Sequence, residues 1–228
     1  LNNTVASSIT LKFRDNSETL INGEENQLNQ LTKELKVQLK DITVFPEKIA
    51  KPSQLIIDAK NDLKGKKPSS FHDRNGLLIT SQNIINIAVS PQNVTRALLF
   101  MNVLIKAIQS RGHKIIVDKE TKIVINNIEL KIYLRERLKR NIVKGTHWDS
   151  TVLEPSNILS LRLDVFPAKE RADTNTTQLE DKIPNIIAKL ELQAIEEKQK
   201  AIEREIWQRE YERKKRLKQI LRLKKTLR

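Results

Sequence analysis

The spacing of apolar residues divides the chain into helical and strand-like stretches. From Glu25 to Ile42 the apolar positions are Leu28, Leu31, Leu35, Leu39 and Ile42. Steps of three and four place them on one face of a helix. Phe45-Pro46 closes it, because a residue ahead of proline avoids the α region. A second helix is predicted from Pro52 to Lys64. Proline suits its first turn, Leu55, Ile56, Ala59 and Leu63 form its buried face, and Gly65 stops it. Gly65 to Asn75 is polar and reads as a loop. A short strand is expected at Ile9–Phe13.

The middle of the chain carries the clearest core. Leu77–Thr80 and Ile84–Val89 predict two short strands. Ser90-Pro91 predicts a helix start, with serine as the cap and proline where a missing N–H costs nothing. Val94, Ala97, Leu98, Met101, Leu104, Ile105 and Ile108 then form a wide apolar stripe, and Gly112 ends the helix. Lys114–Val117 reads as a strand. Thr121–Ile125 and Ile128–Leu134 flank Asn126-Asn127, and asparagine tolerates the positive φ of a tight hairpin turn. Arg135 to Val143 is expected to continue as a helix. Leu159, Leu161, Leu163 and Val165 alternate with polar residues and predict a half-buried strand.

From about Asp181 to Arg228 there is no glycine, and the single proline is Pro184. A helix of about 47 residues would reach about 70 Å, beyond the width of the core. Its first half has an apolar face of Ile183, Ile186, Ile187, Leu190, Ala194, Ile195, Ile202 and Ile206. The expected fold is therefore α+β, a small mixed or antiparallel sheet packed on helices, with a long projecting basic C-terminal helix. The expected organisation is a flexible segment at 1–24, a helical pair at 25–66, a core domain at 77–170 and the charged helix at 181–228.

Composition narrows the function. The 228 residues contain 42 lysines and arginines against 28 acidic residues, a formal net charge of +14. Cysteine is absent, which excludes a disulfide scaffold, a thiolate zinc site and a cysteine nucleophile. No apolar run approaches the length of a membrane-spanning helix. Leu1 to Thr10 lacks a basic-then-apolar leader, so a cytoplasmic protein with no membrane partner is expected. The five glycines, at 23, 65, 76, 112 and 145, form no nucleotide-binding fingerprint. His72, His113 and His147 lack the spacing of a helical zinc site. No catalytic residue, metal ligand or cofactor is assigned.

The charge is concentrated at the end of the chain. Arg209–Arg228 holds ten lysines and arginines against Glu210 and Glu212, a net +8. A helix this basic can follow a row of phosphates and release their counterions. The candidate nucleic-acid-binding residues are Arg209, Arg213, Lys214, Lys215, Arg216, Lys218, Arg222, Lys224 and Lys225, with Trp207 and Tyr211 interleaved. DNA is favoured over RNA. A solvated coiled-coil arm carries similar charge, and Glu191, Glu196, Glu197, Glu203 and Glu205 fit that description upstream. A membrane surface or an acidic protein attracts the same charge. Leu217, Ile220, Leu221 and Leu223 form a stripe that could hold a partner protein, and an oligomer is compatible with it.

Two smaller constellations remain. Lys131, Arg135, Arg137, Lys139, Arg140 and Lys144 form a second basic cluster, read mainly as an exposed strand end and a short helix, with Arg111 and Lys114 as candidate neighbours. Asp118 followed by Glu129-Leu130-Lys131 matches the pattern of a metal-dependent nuclease, in which two carboxylates hold Mg²⁺ and a lysine stabilises charge. Glu120 and Lys122 make a rival match of equal quality.

The stretch from about Leu28 to Ala194 resembles a family of uncharacterised bacterial proteins. The resemblance lies in Ala88-Val89-Ser90-Pro91, Arg96-Ala97-Leu98, Leu104-Ile105-Lys106-Ala107 and Arg111-Gly112-His113. It continues in Leu134-Arg135-Glu136-Arg137, in Pro155-Ser156-Asn157-Ile158-Leu159-Ser160-Leu161 and in Leu179-Glu180. Members resemble one another in an upstream helix-turn-helix-like segment that is not evident here. The family implies no activity or cofactor. The expectation is a non-enzymatic nucleic-acid-binding accessory or regulatory protein, of the kind a mobile-element or defence locus would carry. The alternatives are an interaction subunit docking through its long helix and, third, a metal-dependent nuclease.

Overall fold

A computed structural model describes residues 17–43, 51–144, 148, 150–164 and 169–226. The candidate strand at Ile9–Phe13 and the Phe45-Pro46 stop lie outside the described residues. Among the described residues, four helices and seven strands form a mixed α+β fold. The helices are α1 (Ser17–Gln38), α2 (Gln54–Leu63), α3 (Val94–Ser110) and α4 (Ile183–Thr226). The strands are β1 (Leu78–Ile79), β2 (Ile87–Val89), β3 (Lys114–Val117), β4 (Thr121–Ile125), β5 (Ile128–Val143), β6 (Ser150–Asp164) and β7 (Lys169–Ala172). Helix α1 begins earlier than the periodicity of its apolar face indicates, so the expected flexible segment is helical from Ser17 to Glu24.

Strand β5 organises the sheet. On one edge it pairs antiparallel with β4 and then, further along, parallel with β2. On the other edge it pairs antiparallel with β6, which carries β7. The β4–β5 turn uses Asn126 and Asn127 at φ 50° and 66°, as a tight hairpin turn requires. The expected helix at Arg135–Val143 is overturned: β5 runs for 16 residues, and Leu138 to Val143 pair in register with Pro155 to Ser150. Those residues tolerate a helix in isolation, but the facing strand satisfies their backbone groups along an extended ribbon.

Alternation sets the two faces of the sheet. Ile123, Ile125, Leu130, Ile132, Leu134, Leu159, Leu161 and Leu163 point to the helices and are buried. Leu98, Met101 and Ile105 of α3 are buried in the same core, as their helical spacing indicates. The base of α4 completes the layer through Ile183, Ile186, Ile187, Leu190 and Ala194. Helix α1 packs on α4 and α2 packs on α3, and both contribute buried residues to one core. The apolar face expected to continue along α4 stops at Ala194. Ile195, Ile202 and Ile206 are 58%, 46% and 52% exposed, because the helix has passed the edge of the core.

Polar knots hold the layers in register. Arg96 binds Asp173 at 2.8 and 2.9 Å and Glu180 at 2.7 Å, tying α3 to the segment between β7 and α4. Glu191 on α4 accepts from Arg111 at 2.9 and 3.1 Å and lies 2.9 Å from His113 Nε2. Buried Glu136 accepts the backbone N–H groups of Ser90 and Asn157. Ser90 therefore does not cap by its side chain. Its hydroxyl has no partner among the described residues, a 3-10 turn fills Pro91–Asn93, and α3 starts only at Val94. Among the described residues no helix is long and apolar enough to cross a membrane.

Candidate nucleic-acid interface

Helix α4 leaves the core after Ala194. From Ile195 to Lys218 every residue except half-buried Glu197 is exposed. The helical stretch from 195 to 226 projects by about 48 Å at 1.5 Å per residue. It is held by local pairs: Glu197 with Lys200 and Arg204, Glu205 with Arg209, and Glu210 with Lys214. At these exposures such pairs stabilise the helix only slightly. Trp207 and Tyr211 stack one turn apart, with ring centroids 5.5 Å apart and planes 15° from parallel.

The candidate residues Arg209, Arg213, Lys214, Lys215, Arg216 and Lys218 all lie on this exposed helix. Arg213, Lys215, Arg216 and Lys218 have no ion pair with a described residue. At 100° per residue the cations surround the helix rather than forming one stripe. Arg222, Lys224 and Lys225 lie on the helical backbone, and their side chains are outside the described residues.

The second basic cluster divides. Arg111 and Lys114 lie apart from it, and Arg111 is occupied by Glu191. Lys139, Arg140 and Lys144 line the two-stranded ribbon beyond the core. Lys131, Tyr133 and Arg135 share the face of β5 opposite the helices. Arg162 of β6, in register with Tyr133, joins them there. These residues, with Arg74, Arg137, Asp73 and Glu120, border a cleft of about 950 Å³.

The wall of that cleft is a loop docked on the ribbon. Asn75 Nδ2 donates to Leu153 O at 2.9 Å. Gly76 has φ +77°, and a Cβ there would lie 3.0 Å from the Pro155 ring. This docking places Arg74, at the end of the 3-10 turn His72–Arg74, above the sheet. Burial pushes the Tyr133 phenol up, and the Arg74 and Arg135 charges partly oppose that shift. Glu170 accepts from Arg135 and Arg137, each at 2.9 Å. Burial alone would raise the Glu170 carboxyl, but Ser160 and these two guanidinium groups hold it below the usual range. Lys131 pairs with Glu120 at 2.6 Å, whereas Arg162 has no ion pair with a described residue.

The nuclease candidates are arranged differently from a metal centre. Lys122 Nζ stands between Asp118 at 3.1 Å and Glu129 at 3.0 Å, while Lys131 turns to Glu120. A backbone N–H from Glu120 and the Lys122 ammonium hold Asp118 below the ordinary carboxylate range. Among the described residues no group of three or more acidic or histidine side chains could hold a metal ion. His113 is engaged by Glu191, His72 sits in the cleft-side turn, and His147 lies outside the described residues.

No family model, curated protein or solved structure matches this chain.

The sequence carries one signal for the cleft. Lys131, Tyr133 and Arg135 are spaced by two, which puts them on one face of a strand. Arg74 and Arg162 carry no local signal, because only the folded sheet brings them to that face.

Proposed function

We propose that this chain is a non-enzymatic nucleic-acid-binding accessory or regulatory protein that grips duplex DNA with the distal half of α4. The observation that carries this reading is the stretch from Arg209 to Lys218, exposed throughout and with cations spread around the helix. A continuous basic helix of this kind fits the major groove, where phosphates flank it on both sides. Arg213, Lys215, Arg216 and Lys218 are available for such contacts without breaking an ion pair to a described residue. The test is fluorescence anisotropy with duplex DNA across a salt series, for the intact chain and for Lys214→Glu with Lys215→Glu. Binding should weaken steeply with salt, and the double variant should bind more weakly with a shallower log–log slope. Equal affinities and slopes would remove the role.

A second reading rests on Ile195, Ile202, Ile206, Leu217 and Ile220, which recur along one flank of the same helix and are exposed. In that reading the helix docks on a partner protein. Affinity would then depend on these apolar side chains and only weakly on salt.

A further inference from the structure

We infer that the open face of the sheet is a second nucleic-acid site, a track for a single strand with Arg162 and Tyr133 at its centre. This rests on the reading of the chain as a nucleic-acid-binding protein, but on a different surface from the α4 tail. Lys131, Tyr133 and Arg135 follow one another along one face of β5. Side chains on one face of a strand repeat about every 6.6 Å, comparable to the spacing of successive phosphates along an extended single strand. Arg137 follows at the bulge, Arg162 stands beside Tyr133, and Arg74 borders the same cleft from the docked loop.

The polar occupancy of the cleft fits a phosphate backbone with an intervening base. Glu170 orients the Arg135 and Arg137 guanidinium groups without covering the whole row. Glu120 holds Lys131, Asp73 lies beside Arg74, and Glu136 spends its carboxylate on backbone N–H groups. Arg162 has no ion pair with a described residue, and Glu170, opposite it in the β6–β7 register, pairs with Arg135 and Arg137 instead. Guanidinium forks match phosphate oxygens in pairs. Half-buried Tyr133 is the aromatic residue of this lining, the kind of side chain on which any base can stack. A cleft of about 950 Å³ recessed on a sheet is on the scale of small-ligand sites. It accepts the backbone and bases of a single strand more readily than the rod of a duplex.

The experiment measures anisotropy of a labelled oligothymidine strand and of a labelled duplex with the full chain, using thymidine monophosphate as a competitor. Arg162→Glu and Tyr133→Leu should each weaken oligothymidine binding roughly tenfold. Arg162→Lys and Tyr133→Phe should stay within about twofold of the parent, because charge and ring are retained. Duplex affinity should hold within about twofold in all four. The single-strand salt slope should become shallower in Arg162→Glu, by about 0.7 for each phosphate no longer neutralised. Thermal melting reports folding, and if Arg162→Glu fails to fold, the Tyr133→Leu and Tyr133→Phe pair decides the outcome. Unchanged oligothymidine affinity in the folded variants overturns the track. Monophosphate competing as tightly as the strand also overturns it, in favour of a small phosphorylated ligand. Loss of duplex binding on reversing Lys214 and Lys215 tests the tail alone, so either reading can fail while the other stands.

Discussion

Glu136 accepts the Ser90 backbone N–H at 2.8 Å through one carboxylate oxygen and the Asn157 N–H at 2.8 Å through the other. One buried side chain thereby joins the end of β2, the start of α3 and the bulge between β5 and β6. The bond to Asn157 sits at the bulge. Asn157 takes φ +62°, and the register between β5 and β6 shifts where its N–H turns toward Glu136.

Removing that carboxylate leaves two N–H groups without their acceptor. Glu136→Ala is expected to lower unfolding stability by about 2–4 kcal/mol. Urea denaturation would register this as a lower midpoint with an unchanged slope. Glu136→Gln keeps an amide oxygen for one N–H and should lose about half as much. An alanine variant with the parent midpoint would contradict the bridging role.

Asp173 sets an acid limit on stability. Burial raises its carboxyl, but Arg96 and the N–H groups of Leu159 and Leu179 outweigh burial and hold it below the ordinary carboxylate value. A depressed carboxyl contributes its stability in full above the unfolded value and loses it as pH falls through the folded one. Stability should therefore decline as pH drops below about 4. Asp173→Asn should be less stable by about 3 kcal/mol at neutral pH, since it leaves Arg96 short of a partner. It should also show a flatter acid branch in denaturation midpoints between neutral pH and about pH 3. An unchanged acid branch would assign the sensitivity to other carboxylates.

Gly76 allows the cleft wall to approach the ribbon. Its φ of +77° and the Pro155 ring, 3.0 Å from where a Cβ would lie, both oppose a side chain. Gly76→Ala should cost about 1–3 kcal/mol. Pairing it with Pro155→Ala should recover the steric part of that loss but not the backbone part. Simple additivity in the double-mutant cycle would mean the two residues do not press on each other.

The distal half of α4 contributes charge rather than core. Truncation of Arg209–Arg228 should leave the thermal midpoint nearly unchanged while removing duplex affinity. Leu98→Ala, at a site only 2% exposed, should instead cost about 2–5 kcal/mol. Calorimetry on the two variants separates the parts. A truncated chain that melts as early as Leu98→Ala would place the tail in the cooperative unit.

Periodicity by itself determined the elements whose stabilisation is local. The apolar steps in α1, α2 and α3, the Asn126-Asn127 turn and the glycine-free run of α4 are each written within a short stretch of chain. Their burial stripes and turn chemistry need no distant partner to be recognised. The extension of β5 through Arg135–Val143 was not legible that way. Its charged residues suit a helix, and only the antiparallel pairing with Ser150–Pro155 makes the extended form the one with satisfied backbone groups. The end of the buried face at Ala194 was equally hidden, since a helix pattern does not record where the neighbouring layers stop. The basic tail was legible because charge density is a property of sequence. The cleft was legible only as the row Lys131, Tyr133 and Arg135. Arg74 and Arg162 reach it through the Gly76 approach to Pro155 and the β5–β6 register, contacts between residues far apart in the chain that tertiary packing alone decides.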